Sequence, residues 1–307
     1  VTDIRQLADT EQADIEQVAE STLRALCPVV LHGVPSIRYH TSAGLSHSGT
    51  KELRRTPYHF KRKSEPTAPA AAPSDAMLNG TLVHCSLLEP AEWPRRYVVP
   101  PESANDKRTK AYKEFAAEAA QLGLTPITQL QADAATAQAD ALRMVPTVAR
   151  LLGTPGAGAE VSAWWIDGPS GVLCKCRPDF VAPVGYGRGA VLVDVKTTSD
   201  AAPDAFARSV QTFSYHTQAA WYCEGYALAS GLQVHGMLFA VVESAYPYAA
   251  TAYMLSDAAL ALARRLNLEA RALYARCAAA NDWPGYPMDS TGINVIDLPY
   301  WAYREAA

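Results

Sequence analysis

Arg177-Pro178-Asp179 and Val191-Leu192-Val193-Asp194-Val195-Lys196 bracket the part of the chain that decides its fold, with fourteen residues between Asp179 and Asp194. The second piece is an apolar run with the composition of a β-strand, and side chains on a strand alternate between its two faces. Asp194 and Lys196 therefore share one face and Val193 and Val195 the other. The intervening residues are themselves strand-like at Phe180 to Pro183, with a Gly185-Tyr-Gly187-Arg-Gly189 turn. A fold-back there brings Asp179 beside Asp194.

Two adjacent carboxylates repel unless a positive charge lies between them. A hard divalent cation with oxygen ligands meets that need, and Mg²⁺ is the usual choice. Such an ion polarises a phosphodiester and lowers the pKa of a bound water. A neighbouring lysine can orient or deprotonate that water, or neutralise the transition state. Taken alone, the pattern also fits a plain ion pair at a strand end.

Around this centre the 307 residues carry 49% hydrophobic and 19% charged side chains, enough to build a core, and a net charge of −4. A uniformly basic nucleic-acid coat is excluded, although a local one is not. The cysteines at 27, 85, 174, 176, 223 and 277 show no CxxC pair and are too sparse for a disulfide framework. Cys174-Lys175-Cys176 suits alternating strand positions. No basic-then-apolar leader and no apolar run of about 20 residues is visible, so a soluble cytoplasmic protein without membrane partners is expected.

Composition divides the chain into an acidic leader (1–40), a basic helix followed by a Pro/Ala-rich linker (41–76), and a main domain (77–307). Ser46 is placed to cap a helix that Pro57 ends. Residues 51–63 carry six cations, among them Arg54, Arg55, Lys61, Arg62 and Lys63, against Glu52 alone; 95–113 form a second basic stretch. A short helix is expected from Thr81 to Leu88, opened by Asn79-Gly80, with further helices over 111–122 and 129–152. Strands follow at 160–166, 172–176, 180–183 and 190–196, then one long helix from about Pro203 to Ser230. Strands at 237–243 and 251–255 and an amphipathic helix over 257–279 complete the order. This succession gives an α/β (α+β) fold, a central mixed β-sheet flanked by helices. Leu152 to Gly158 lacks the ending of a phosphate loop, and the serines at 42, 46 and 48 lack a nucleophile elbow.

Pro178-Asp179 with Asp194-Val195-Lys196 at the end of a Val/Leu strand is the signature of the PD-(D/E)xK nuclease superfamily, and the expected core is of that restriction-endonuclease-like kind. The flanks extend the likeness. Gly80-Thr-Leu-Val-His84-Cys-Ser-Leu-Leu-Glu89-Pro90 resembles the G-x-x-x-H-x-x-x-L-E-P helix of RecE-type exonucleases (exonuclease VIII). Asp194-Val-Lys-Thr-Thr-Ser-Asp200 is similar to their D-V-K-T-T-x-D stretch, and Tyr215-His216-Thr-Gln218-Ala-Ala-Trp-Tyr222 to their Y-H-x-Q-x-x-x-Y helix. Glu160 before a Trp-bearing strand, and the Trp283-Pro284 and Leu298-Pro299-x-Trp301-Ala302 tail, are also alike. The likeness covers about 79–302. Ser46 to Lys63 resembles the family's opening segment, with Gly49-Thr50 departing from it.

By this resemblance Asp179 and Asp194 hold the metal, with the Val195 carbonyl as a further ligand. Lys196 is the catalytic lysine, and Glu160 binds a second ion directly or through water. His84 lies near the metal, while Gln218 and Tyr222, on one helix face, position the lysine and the scissile strand. The cofactor implied is Mg²⁺, with Mn²⁺ able to replace it. The activity implied is digestion of linear double-stranded DNA from the 5′ end, leaving 3′ single strands for recombination by annealing. Implied partners are duplex ends, a single-strand annealing protein and further copies of the chain in a toroidal tetramer. The basic residues of 51–63, together with Arg177, would contact DNA phosphates. Two alternatives stay open: a RecB- or Cas4-like nuclease with other end preference, and a non-catalytic DNA-binding ring protein on the same fold. Cys277 as the sole late cysteine disfavours the iron–sulfur variety.

Overall fold

The computed structural model describes residues 20–65, 67–68, 74–299 and 303. In chain order its helices are α1 Glu20–Leu26, α2 Ser36–Thr41, α3 His47–Arg55, α4 Pro57–Lys63, α5 Asp75–Leu88, α6 Trp93–Arg96, α7 Lys110–Gln121, α8 Gln129–Arg143, α9 Pro146–Leu152, α10 Pro203–Phe213, α11 Tyr215–Ser230 and α12 Asp257–Ala280. The strands are β1 Val29–Leu31, β2 Tyr97–Val98, β3 Thr125–Pro126, β4 Gly158–Ala159, β5 Ser162–Ile166, β6 Leu173–Cys176, β7 Phe180–Val184, β8 Gly189–Thr198, β9 Gln233–Glu243 and β10 Ala250–Tyr253.

The main sheet has the order β10-β9-β8-β7-β4. Only the β8–β9 pair is parallel; its other ladders are antiparallel. The parallel step is the one that needs a long crossover, and α10 with α11 supplies it. Both central strands are buried on two sides, so they read as near-continuous apolar runs. Val193, Leu238, Ala240 and Val242 pack with Leu82, Ala135, Ala139 and Leu142 of α5 and α8. Leu192, Phe239 and Val241 pack the opposite way, with Trp221 of α11 and with Trp165 and Cys176 from a second sheet ordered β1-β5-β6. The result is the mixed α/β layering expected from the sequence, and the Asp194–Lys196 face of β8 looks into the α10–α11 side.

Helix limits show where composition misled. The helix expected from Thr81 starts six residues earlier, at Asp75, because Ser74 caps it by accepting from the Met77 amide at 3.3 Å. The 129–152 span is two helices, since Pro146 forces Val145 into extended backbone. The long helix over 203–230 breaks at Ser214, which sits in the left-handed region at φ 60°. Ser46 does cap α3, accepting from Gly49, and Thr56 closes α3 while capping α4. The acidic stretch 1–19 and most of 66–73 lie outside the described residues.

The basic segment is tied into the same packing. Leu45 bridges Cys174 and is 2% exposed. His47 Nε2 lies 2.9 Å from Thr217 Oγ1 of α11, and Phe60 stacks on Trp283 with ring centroids 5.5 Å apart. Among the described residues no helix is long and apolar enough to cross a membrane.

Candidate active site

Pairing between β7 and β8 ends at Phe180↔Val193. One step further the two strands part, and the residues at the split are Asp179 and Asp194. Asp179 fills the gap with its side chain: its Oδ2 accepts from the Val195 amide at 2.9 Å, a donor that the ladder no longer satisfies. On its other side the Asp179 carbonyl accepts from the Glu160 amide at 2.9 Å. Glu160 follows β4 directly and has φ 54°. A left-handed backbone on a residue with a Cβ costs about 1–3 kcal/mol and is found where surrounding structure imposes it. Here it turns the Glu160 carboxylate back toward Asp179.

His84, on the middle of α5, joins the two acids. Its Nε2 is 3.1 Å from Glu160 Oε1 and 3.5 Å from Asp179 Oδ1. Burial opposes charge on this imidazole, yet the fields of Asp179 and Glu160 outweigh it and lift its pKa to about 9. The same pairing holds Asp179 below the usual carboxylate range in spite of its burial.

Asp194 is fully buried. Its Oδ1 accepts from Gln218 Nε2 at 2.7 Å; its Oδ2 meets the Lys196 ammonium, across one face of β8. Burial pushes the Asp194 carboxyl up; Lys196 pulls it down, and Asp179 adds to the rise. Lys196 is raised: its burial is offset by Asp194 and Asp179. Its Nζ sits 4.6 Å from the centroid of the Tyr215 ring, a cation–π contact that fixes the long side chain. Tyr222, one turn beyond Gln218, is raised well above the usual phenol value by burial, then by Tyr39, Asp194 and Asp179.

The expected residues Asp179, Asp194, Val195, Lys196, Glu160, His84, Gln218 and Tyr222 thus converge. Arg177 behaves differently from expectation. It is mostly buried, ion-paired through Nε with Glu160 Oε2 and laid 5.4 Å from the Tyr39 ring centroid. It acts within the acid cluster instead of offering a free cation to solvent. Arg54 is divided: its Nη2 reaches Thr217 Oγ1 at 3.3 Å, next to Gln218, and its Nη1 has no partner among the described residues. Lys61, Arg62 and Lys63 point out from α4, where Lys63 pairs with Glu52 and Arg62 with Glu65.

Two contributors are not evident in the sequence. Glu89 enters there as a matched position of the motif that ends α5, with no role of its own assigned, but its carboxylate, His84 and Glu160 bring ligand atoms within 4.8 Å of one another. Arg96 holds it by two bonds of 2.8 and 2.9 Å. The signal available was the i, i+5 spacing of His84 and Glu89 at a helix end. Tyr39, beneath Arg177, carried no signal at all.

These donors fit a hard divalent ion. Asp194 Oδ2 is buried without a properly directed hydrogen bond among the described residues, and the surrounding set is carboxylate oxygen with one imidazole. Glu160, Asp179, Asp194 and the Val195 carbonyl are the candidate ligands, with His84 and Glu89 beside them.

A split β7–β8 pair carrying Asp179 and Asp194, with Lys196 on the same face as Asp194, is the PD-(D/E)xK nuclease core. A family described as "PDDEXK-like domain of unknown function (DUF3799)" matches residues 46–296, and the chain belongs to it. No curated protein matches. Among solved structures, one from Eubacterium rectale described as a "Putative exonuclease" superposes with a TM-score of 0.53 at 14% identity, covering 86% of this chain and 93% of that one. This likeness is one of fold. SSO0001 (TM-score 0.28, 15% identity, 63% and 85% covered) and VC1899 of Vibrio cholerae (0.22, 11%, 78% and 57%) superpose too loosely to bear on the argument.

Proposed function

We propose that the protein is a metal-dependent exodeoxyribonuclease of the RecE type, acting on linear duplex DNA from the 5′ end. The observation that carries the nuclease reading is the meeting of Asp179, Asp194 and Lys196 at one strand split, with Gln218 bonded to Asp194. The 5′-to-3′ polarity, the toroidal tetramer and an annealing partner for the exposed 3′ strand rest on the motif resemblance.

Mg²⁺ on Asp179 and Asp194 would supply the Lewis acidity that polarises the phosphodiester and acidifies water. The chain's own part is positional. Gln218 and the Val195 amide fix the two carboxylates from opposite sides, so neither can rotate away from the split. Lys196, cationic in this setting, donates to the attacking water or to a phosphate oxygen and offsets the charge that builds there. The Tyr215 ring limits its motion. His84 and Arg177 balance Glu160 and Asp179, which keeps several acids ionised in a partly buried space. Arg54, Arg55, Lys61, Arg62 and Lys63 on α3 and α4, the former packed on α11 beside Gln218, give the DNA backbone a cationic approach.

The test compares end-labelled linear duplex with covalently closed circles, with Mg²⁺ and with EDTA. Linear DNA alone is lost, and only with Mg²⁺; Asp194→Asn and Lys196→Ala each stop the loss while the far-UV circular dichroism spectrum is kept. Undiminished digestion by either variant, or equal digestion of circles, overturns the reading.

A further inference from the structure

Next to Lys196 the chain encloses a recess of about 180 Å³. Thr197 and Thr198, the last residues of β8, and Ser199 form one wall; Ser209 and Phe213 of α10 form another, above buried Phe206. Tyr215 closes the side toward the active site, so one ring touches both the Lys196 ammonium and this space. Phe213 stacks on Tyr215 with centroids 5.6 Å apart and planes 29° apart, and is 50% exposed. An aromatic face is therefore presented to solvent beside the catalytic lysine, where burial would have been the cheaper arrangement.

The lining has a definite chemistry. Among the described residues no charged side chain lines the recess, so within it a phosphate finds no cation to pair with. The Thr198 hydroxyl is engaged with the Asp200 backbone, and Thr197 turns its own toward Gly80 of α5 on the other face of the sheet, whereas the hydroxyls of Ser199 and Ser209 have no hydrogen-bond partner among the described residues. Flat aromatic surface edged by uncommitted hydroxyls suits a planar heterocycle with donors and acceptors on its rim. The volume lies below the roughly 300–1,000 Å³ of drug-sized sites, which limits the guest to about one ring system.

We infer that this recess receives a single nucleobase from the DNA end, belonging to the nucleotide beside the phosphodiester attacked at Asp179 and Asp194 and stacked on Phe213 and Tyr215. The inference rests on the nuclease reading for the identity of its ligand. Hydroxyls rotate and serve as donor or acceptor, so any of the four bases is accommodated, as digestion of arbitrary sequence requires. A base seated here has left the helical stack, which costs least for an unpaired nucleotide. The recess therefore favours a frayed end over continuous duplex.

The test measures equilibrium binding, by fluorescence anisotropy in EDTA, of duplexes ending in one unpaired nucleotide that carries either its base or an abasic site. The wild-type protein should prefer the base-bearing end by about 5- to 150-fold, the range for one base stacked on aromatic side chains. Phe213→Ala and Ser209→Leu, which remove the platform and fill the space, should bring the two affinities together, while Phe213→Tyr keeps the preference. Equal wild-type affinities, or full preference in both disruptive variants, overturn the inference. Preference in EDTA without Mg²⁺-dependent digestion would leave the recess standing and sink the nuclease reading. Digestion without preference would do the reverse.

Discussion

Gln218 Nε2 donates to Asp194 Oδ1 at 2.7 Å, a bond that ties α11 to the one fully buried acid of the site. Ser214 makes this possible: its left-handed backbone ends α10 and restarts the chain as α11, whose first turn brings Gln218 over β8. Removing the amide frees Asp194 to turn toward Lys196. Groups that orient ligating carboxylates are typically worth about 10–100-fold in metal affinity or activity. Gln218→Ala should raise the Mg²⁺ concentration for half-maximal digestion by that order, with saturating Mg²⁺ restoring part of the rate. A Mg²⁺ titration of cleavage checks this, and an unchanged midpoint would separate Gln218 from metal binding.

Gly225, two turns along the same helix, sets how closely α11 approaches the second sheet. A Cβ at this position would stand 2.2 Å from the Trp165 ring. Trp165 is buried and already packed against Trp221 at 5.5 Å, so the ring has little room to yield. Ala normally gains about 1 kcal/mol over Gly inside a helix, whereas overpacking a core costs about 1–3 kcal/mol. The clash should win: Gly225→Ala lowers Tm by several degrees, and adding Trp165→Phe recovers part of the loss because the two sites touch. Thermal unfolding followed by circular dichroism decides the sign.

How far the sequence foretold these features depends on how local each one is. Period-two alternation in Val191–Lys196 placed Asp194 and Lys196 on one face, and burial of β8 and β9 on both sides explains their unbroken apolar runs. Asp179 was foreseeable as a neighbour because a hairpin joins it to β8. Gln218 and His84 were reached through motif resemblance, since no local pattern says which side chain of a helix crosses to a sheet. Glu89, Tyr39 and the turned-back Glu160 backbone come from contacts between distant segments, and composition is silent on those. The single helix expected over 203–230 failed for a related reason. Neither Gly nor Pro occurs from Asp204 to Glu224 to mark a break, and the one at Ser214 follows from two helices packing at different places on the sheet.

The α4 cations give a salt-dependent prediction. Lys61, Arg62 and Lys63 are exposed enough to reach phosphates, although Lys63 and Arg62 already hold Glu52 and Glu65. Exposed pairs of this kind are worth about 1 kcal/mol or less, so DNA can take the cations over. For duplex DNA, each phosphate that a cation ceases to neutralise should reduce the slope of log K against log salt by about 0.9. The triple change to Ala should therefore flatten the slope by about two to three units, roughly that constant for each cation removed, and weaken binding similarly for all sequences. An unchanged slope would place the DNA elsewhere.

His47 couples the basic helix to acid stability. It is 8% exposed, and burial, followed by the neighbouring charges of Arg54, Lys51, Lys196 and His216, lowers its pKa to about 3. Its Nε2 meets Thr217 Oγ1, one residue from Gln218. In the unfolded chain the imidazole titrates near 6.5. Between those two values the unfolded state holds a proton that the folded state refuses, so stability rises with pH across this window. The full contribution is present above about 6.5 and is lost progressively as pH falls toward about 3. His47→Gln keeps a hydrogen-bonding group for Thr217 but removes the titration. Urea midpoints between pH 4 and 7 should thus fall less steeply on acidification in the variant than in the wild-type protein. Parallel curves would mean that His47 is protonated in the folded state, and that the positive field of Lys51, Arg54 and Lys196 is weaker than their packing around it implies.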